Sequence, residues 1–372
     1  MIEAVDLFCG AGGTSTGILK AADERLRRPI QLTAVNHWQT AINTHSLNHP
    51  RVKHLCEPVE NIHPLDLIKS GKLDLLAASC ECRFHSNARG GGPCNEQSRS
   101  QPWQLIRWAT DIQVKNILME NVREFQNWGP LHGRTKRPIK SRKGEYFKAF
   151  LNALGNIFRY VDYRVQVCAD FGDATTRPRL ILMARNTPIE WPEPTHGEGC
   201  AEPWRSFRQC VDWSIKGTSI FNRKRSVSKN TLRKIAIGIN QFGGRPFILN
   251  LSHGRGTSLR SVDDPLFTLT TAKGGELAIC EPFLVKYNGT ASAVSLNQPL
   301  HTLTVKPRFG LVEFSKDGRD ILYRMLQVKE MARAHSFPES YKFTGDIADQ
   351  TKQIGNSVPV ELATAHAEAA LR

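Results

Sequence analysis

Short apolar runs punctuated by turn residues dominate the first half of the chain. E-A-V-D-L-F (3–8), Q-L-T-A-V-N (31–36), L-D-L-L-A-A-S (73–79) and N-I-L-M-E-N (116–121) each read as a buried strand. A helix is expected at 14–27, and the amphipathic Q-L-I-R-W-A-T-D-I (104–112) falls between the third and fourth strands. R-V-Q-V-C-A (164–169) and R-L-I-L-M-A-R (179–185) form a late strand pair. Strands alternating with helices predict an α/β fold, a mostly parallel sheet wound on both faces.

The pattern changes near residue 187. T-P-I-E-W-P-E-P-T-H-G-E-G is a proline-rich hinge, and the chain beyond it is turn-rich apart from a helix expected at 230–240. A duplication lies inside this region. P-F-I-L (246–249) is echoed by P-F-L-V (282–285), and D-P-L-F-T-L-T (264–270) by Q-P-L-H-T-L-T (298–304). Lys273 and Lys306 follow at similar offsets, so the period is about 35 residues. Two copies are too few for a solenoid and predict two similar β units packed on one another. From about 322 the alternating character resumes, with a helix at 327–335 and another after Pro359. The expected domains are therefore 1–186 plus 322–372, and a smaller β-rich domain at 187–321 with its copies at about 246–279 and 282–313.

The chain's 372 residues suit one large and one smaller domain. No run of 18 apolar residues exists, and M-I-E-A-V-D-L-F-C-G has neither a basic n-region nor a cleavage site. A cytoplasmic, nucleoid-associated setting without a membrane partner is expected. Lysine and arginine number 50 against 35 acids, a formal charge of +15. The excess clusters, as in R-T-K-R-P-I-K-S-R-K (134–143) and F-N-R-K-R-S-V-S-K (221–229), which favours a polyanionic partner over a generally soluble basic protein. Nine cysteines scattered through such a chain read as reduced thiols.

Two stretches carry chemistry. D-L-F-C-G-A-G-G (6–13) ends a strand in glycines, which lets backbone approach a ligand at a helix N-terminus. Nucleotide, flavin and methyl-donor sites all use such a turn, and a tight strand–helix connection needs no ligand. It is not G-x-G-x-x-G and no Walker lysine follows, which counts against dinucleotide oxidoreductases and P-loop enzymes. A-A-S-C-E-C-R-F-H-S-N (77–87) leaves several readings open. Cys80, Cys82, His85 and Cys94 could ligate a metal, although the C-x-C spacing is tight and no second pair completes it. The two thiols could be a redox pair, or inert small hydrophobes, or one of them a nucleophile.

D-L-F-C-G-A-G-G resembles the first motif of the DNA (cytosine-5) methyltransferases, and further matches follow in that family's order. These are Asn36-His37-Trp38, the Cys82 loop, Glu120-Asn121-Val122, T-T-R-P-R-L (175–180), E-M-A-R-A-H-S-F-P (330–338) and Q-I-G-N-S-V-P (353–359). The resemblance spans roughly the whole chain, and the duplicated region falls where the family keeps its target-recognition domain. It implies a Rossmann-like S-adenosylmethionine-dependent fold and methyl transfer to carbon 5 of cytosine in double-stranded DNA. Ser79-Cys80-Glu81-Cys82 resembles the branch with an S-P-E-C-like catalytic motif, with cysteine in the proline position. Cys82 is then the nucleophile that adds to carbon 6 of a flipped-out base. Glu120 is its acid–base partner, with a pKa expected to be raised by burial. Arg177 and Arg179 alternate on a strand start, one placed against the cytosine carbonyl and the other near the catalytic loop; Thr175 replaces the usual glutamine.

The same resemblance places the donor against Phe8, Gly10, Ala11, Gly12 and Gly13, with His37 at the ribose and Trp38 offering a flat face to adenine, and with Asn356 and Ser357 behind. The usual ribose-binding acid is replaced by His37, and Glu57 or Glu60 stands in for the usual adenine-binding aspartate. No metal is expected. The loop 82–100 is long, glycine-rich and basic, as a lid closing over an extruded base would be. Arg83, Ser86, Arg89 and Arg99 on it, with Arg255, Lys306 and Arg308 in the recognition region, are the expected DNA contacts. An RNA (tRNA) cytosine methyltransferase and a catalytically inactive DNA-binding relative are the competing functions. The large recognition region favours DNA. A monomer of prokaryotic or phage-like origin is expected, with any restriction endonuclease on a separate chain.

Overall fold

The computed structural model describes residues 1–81, 99–219, 226, 232, 247–250, 259–261, 276–279, 283–286, 299–300, 308–314 and 321–372. By contact the chain divides into two compact units. The first comprises Met1–Gln166, Pro178–Glu193 and Val360–Arg372; the second comprises Val167–Arg177 and Pro194–Pro359.

The first unit is built on a seven-stranded sheet. Its strands are β1 (Ile2–Leu7), β2 (Ile30–Val35), β3 (Lys53–Leu55), β4 (Lys72–Ser79), β5 (Gln113–Asn121), β6 (Tyr160–Val167) and β7 (Pro178–Arg185). They lie in the order β3-β2-β1-β4-β5-β7-β6. The five from β3 to β5 are parallel, and β7 runs antiparallel to β5. The expected mostly parallel sheet is thus observed. Helices α1 (Gly13–Lys20), α2 (Gln39–Asn48), α3 (Pro64–Leu67), α4 (Trp103–Asp111) and α5 (Glu145–Gly155) connect the strands.

Apolar side chains on both faces explain why the strands read as runs rather than alternations. Val5, Leu76, Ile117 and Leu182 join Leu105 and Trp108 of α4 and Phe147 and Phe150 of α5 in one core. The helix expected at 14–27 is regular only to Lys20; it then widens to π geometry over Ala21–Leu26 and stops on Arg27 at φ 52°. The strand expected at 164–169 begins earlier, at Tyr160, and ends where Cys168–Phe171 turns into a short 3₁₀ segment.

Chain direction decides where a ligand can enter. From β1 the chain winds outward through β2 and β3, then returns to the other side of β1 for β4 and β5. The crevice at the carboxyl ends of β1 and β4 is therefore the topological switch point, where open α/β sheets bind ligands.

The second unit contains β8 (Thr218–Ser219), β9 (Phe247–Asn250), β10 (Leu259–Ser261), β11 (Glu276–Ile279), β12 (Phe283–Lys286), β13 (Arg308–Phe314) and β14 (Ile321–Met325). Their order is β10-β9-β11-β12-β13-β14-β8, with β9 also paired to β12. β9 and β12 are the echoed segments of the duplication. They pair in parallel with Leu249 opposite Val285 and Asn250 opposite Lys286, which is the register of the repeat itself. The helix expected at 230–240 lies outside the described residues.

Helices α6 (Val328–Ala334) and α7 (Ile347–Asn356) also belong to this unit. Residues 322–359, assigned from the sequence to the first domain, group here because β14 pairs with β13 and Arg324 forms a buried ion pair with Glu330 at 2.7 Å. Only α8 (Val360–Leu371) returns to the first unit.

Candidate active site

The glycine turn is forced into a shape that side chains resist. Phe8, Gly10 and Gly12 have φ of 59°, 53° and 98°, so the backbone bends tightly between β1 and α1. Cys9 N donates to Val35 O at 3.1 Å, which ties the turn to the neighbouring strand. A Cβ built on Gly10 would meet nothing within 4 Å, so this glycine serves the backbone conformation and leaves the space over the turn open.

Beneath the turn, Asp6 is fully buried and accepts from Ser15 Oγ at 2.6 Å, while its Oδ1 is buried without a partner. Burial pushes its carboxyl up to about 7 against the opposing Ser15 hydrogen bonds. Burial likewise raises the Cys9 thiol, with Asp6 adding to it. At the end of β2, Asn36 Oδ1 accepts from Trp38 N at 2.8 Å, turning the chain into α2. His37 is exposed there and Trp38 is half-buried, while Glu57 and Glu60 are exposed.

The reacting end lies along the same edge. Leu7 is in register with Val35 of β2 and Ala78 of β4, and Ser79 is in register with Glu120 of β5. Thr14 Oγ1 and Ser79 Oγ are 3.1 Å apart, joining the first turn of α1 to the end of β4. Glu120 forms an ion pair with Arg179, Nε to Oε1 at 2.7 Å, and both side chains are largely buried. The pair sets a guanidinium directly against the carboxylate.

Cys80, directly after β4, is 4% exposed and packs in the core with Met119 and Leu105. Burial, reinforced by Glu120, pushes its thiol far above the ordinary range. A thiol in that setting is an inert small hydrophobe. Asn121 Nδ2 donates to the Cys80 carbonyl at 3.4 Å, and Gln101 Oε1 accepts from Glu81 N at 2.9 Å, so the chain is pinned up to the residue before Cys82. Cys82, His85 and Cys94 lie outside the described residues, as do Arg83, Ser86, Arg89, Arg255 and Lys306; Arg308 opens β13.

Arg99 is placed differently from the sequence expectation. It is 2% exposed, and its guanidinium donates to Gly129 O at 2.9 Å. That is the position of an internal brace on Gly129, not of an exposed phosphate contact. Arg177, Asn356 and Ser357 belong to the second unit. Arg177 is buried and its carbonyl accepts from Cys168 N; Asn356 is exposed; Ser357 Oγ lies 3.1 Å from His335 Nδ1. Thr175, standing for the usual glutamine, is buried and bridges to Leu300. The Asp6–Ser15 and Thr14–Ser79 pairs were not foreseen. An acid set between the apolar Val5 and Leu7, at the buried end of its strand, was the available signal for the first.

A switch-point glycine turn beside a carboxylate–guanidinium pair defines an enzyme of the doubly wound α/β class that acts on a ligand held at the carboxyl edge of its sheet. The model of the C-5 cytosine-specific DNA methylases matches residues 2–372, and the chain belongs to that family. It is a DNA (cytosine-5-)-methyltransferase.

It is 24% identical over 369 residues to the type II methyltransferase M.FnuDI of Fusobacterium nucleatum, covering 97% of this chain and 92% of that protein. It is 26% identical to M.XorII of Xanthomonas oryzae pv. oryzae, covering 97% and 82%. Among solved structures, a Spodoptera frugiperda DNMT2 mutant superposes with a TM-score of 0.63 at 13% identity over the whole of both chains. A putative prophage DNA modification methyltransferase of E. coli gives 0.59 at 18% identity, covering 99% and 98%. These two likenesses bear on the fold. The family uses S-adenosylmethionine as methyl donor. No described helix is long and apolar enough to cross a membrane.

Proposed function

We propose that this chain methylates carbon 5 of a specific cytosine in double-stranded DNA through a covalent Cys82 adduct to carbon 6 of a flipped-out base. Ser79-Cys80-Glu81-Cys82 is then the S-P-E-C-like motif with a buried cysteine in place of proline. The observation that supports the reading best is the Ser79–Glu120 register at the switch point, with Arg179 locked on the carboxylate.

Carbon 5 of cytosine is a poor nucleophile. Addition of the Cys82 thiolate to carbon 6 moves an electron pair toward carbon 5 and builds negative charge on the ring. Glu120 would share a proton with ring nitrogen 3 and the exocyclic amine, with the Arg179 ion pair restraining its carboxylate. The bound donor supplies an electrophilic methyl group. Loss of the carbon 5 proton and expulsion of the thiolate then restore the aromatic ring and free Cys82.

The glycine turn fits the donor: the space over Gly10 is open, and the strained backbone at Phe8, Gly10 and Gly12 allows close approach. Phe8, Gly10, Ala11, Gly12 and Gly13 would line it, Trp38 would cover the adenine and His37 would reach the ribose hydroxyls. Asn356 and Ser357 are further donor residues and Arg177 a further catalytic residue that the family resemblance implies. Arg83, Ser86, Arg89, Arg255, Lys306 and Arg308 contact the DNA.

The duplicated region, within 187–321, is the target-recognition domain, its two copies joined through the β9–β12 pairing in the repeat register. Exchanging 282–313 for the matching segment of a relative should change the methylated sequence. The enzyme acts as a cytoplasmic monomer.

A duplex containing 5-fluorocytosine tests the chemistry, because fluorine at carbon 5 blocks release. An adduct that survives denaturation is expected, lost in Cys82→Ala and kept in Cys80→Ala. Loss in Cys80→Ala with retention in Cys82→Ala would overturn the assignment.

A further inference from the structure

Between β5 and α5 the chain makes an excursion that the sheet does not need. Residues 131–143 fold back on themselves: Leu131 bridges Pro138 antiparallel, His132 N donates to Arg137 O at 2.9 Å, and Lys136 N donates to His132 O at 2.9 Å. Lys136 sits at the tip with φ 53°. The base is clamped. Ile139 N donates to Pro130 O, and Tyr146 N and Phe147 N both donate to Trp128 O. A Cβ on Gly129 would overlap the Arg142 carbonyl, so the two arms meet at their closest there. Trp128 stacks on Phe125 at 5.4 Å within the aromatic core below.

This hairpin holds Arg134, Lys136, Arg137, Lys140, Arg142 and Lys143, all exposed, and no acid between 131 and 143. Arg142 pairs with Glu145 at the start of α5. No ion pair is recorded for the other five among the described residues. Some exposed cations elsewhere in the first unit have acids beside them, as in Lys69–Asp66, Lys115–Asp74 and Arg372–Glu368, and those without do not gather in such number on one turn. Gathering five unmatched like charges on one braced turn works against the fold through mutual repulsion, so the arrangement fits a counter-charge from outside. The hairpin also presents no large exposed apolar side chain, and a protein partner would need an apolar centre to bind against. Lysine and arginine without such a centre suit phosphate oxygens.

We propose that the 131–143 hairpin is a DNA-backbone contact, separate from the recognition region, that grips phosphates of the duplex flanking the target base. The inference rests on duplex DNA being the substrate. Its placement supports this: β5 leads from Glu120 through the Arg123–Asn127 turn to Trp128 and the hairpin base, and Arg99 fixes that base at Gly129. Phosphates held here would set the register of the duplex against the strand that carries Glu120.

The test compares the full-length protein with R134Q/K136Q/R137Q/K140Q/K143Q, binding a labelled 30-base-pair duplex across a salt series. Each lost phosphate contact lowers the slope of log Kd against log salt by about 0.9. A slope smaller by about 2 or more, and affinity at least tenfold weaker at about 0.1 M salt, are expected, with kcat at saturating DNA within twofold of the parent. The swap K136R/R137K/K140R/K143R should restore the parent slope, because only charge is at issue. An unchanged slope and affinity would overturn the proposal, including the case in which the hairpin serves an acidic protein. The pair K136Q/R137Q, whose backbone bonds are untouched, gives the same reading on a smaller scale if the fivefold variant folds poorly. Methyl transfer by the parent enzyme to duplex DNA, measured in the same series, tests the substrate reading independently.

Discussion

At the scale of single residues, the two cysteines of the C-x-C stretch part company because their surroundings differ. Cys80 is sealed in the core beside Glu120, where a thiolate would be both desolvated and repelled. Cys80→Ala should therefore cost about 1 kcal/mol of stability and leave kcat within a few-fold; a loss of kcat comparable to that of Cys82→Ala would show that Cys80 takes part in the chemistry. The Glu120–Arg179 pair allows a second separation. On the proposed mechanism Glu120→Gln removes the shared proton, so kcat should fall about 10²- to 10⁴-fold; its amide oxygen can still accept from Arg179, so the loss of stability should be smaller than that of Arg179→Met. Arg179→Met instead strands a largely buried carboxylate and should destabilise the fold by about 3 kcal/mol or more. If Arg179→Met melts like the parent, the ion pair is not holding the site together. The sequence showed which side chains to watch, but not that Arg179 reaches Glu120. That contact depends on β7 running antiparallel to β5, with Glu120 opposite Ile181, and strand direction leaves no mark in an apolar run.

At the scale of elements, the glycine turn proposed to hold the donor is backed by a helix contributed from the far end of the chain. Gly17 of α1 faces α8, where a Cβ would lie 2.5 Å from the Ala363 Cβ and 2.8 Å from its carbonyl carbon. Lys20 and Glu361 close the same contact with an ion pair at 2.6 Å. Gly17→Ala should lower stability by about 1–3 kcal/mol through overpacking and weaken donor binding as α1 shifts. Ala363→Gly should restore part of both in the double variant. Donor affinity measured by calorimetry on the four proteins checks it, and purely additive losses would mean the helices do not meet there. Strands β1, β2, β4, β5 and β7 and helix α8 were legible because each is a compact apolar run with turn signals at its ends. Strand β3 was not, since K-H-L is three residues long with only a partly buried face. Helix α7 also escaped notice, because of its buried residues Thr351, Gln353, Ile354 and Gly355 only Ile354 is a large apolar side chain. The grouping of 322–359 with the second unit follows from β14 pairing with β13. Sequence periodicity shows that a strand exists, not which sheet receives it.

At the scale of the whole molecule, buried titrating groups in the first unit tie stability to pH. His45 Nδ1 and His54 Nε2 are 2.8 Å apart, and His49 Nε2 lies 3.0 Å from Thr16 Oγ1 on α1. Burial and their mutual proximity hold His45 well below the ordinary histidine range and His49 down to about 4. His366 of α8, packed edge-on against Trp191, is also lowered to about 4 by burial. A histidine whose folded pKa is depressed binds its proton in the unfolded chain first. Its contribution is complete above about 6.5 and is lost as pH falls through the folded value near 4. For fully buried His366 the displacement amounts to about 3 kcal/mol. Asp6 works in the opposite sense. Its carboxyl is raised to about 7 from 3.8, so its term is complete at low pH and fades as pH rises through 7. Several histidines outweigh one aspartate, and the melting temperature should fall on going from pH 7 to pH 5. His366→Gln should flatten that fall, while Asp6→Asn should steepen it, because it removes a group that favours the folded state in acid. A melting temperature that holds or rises toward pH 5, or the two variants bending the curve the same way, would contradict this balance. The consequence for the glycine turn is limited. Thr16 Oγ1 donates its one proton to the Gly12 carbonyl at 2.6 Å, so His49 Nε2–H is the donor of the 3.0 Å contact, and a proton added at Nδ1 leaves both bonds in place; donor affinity should therefore follow the melting curve in acid and not fall ahead of it.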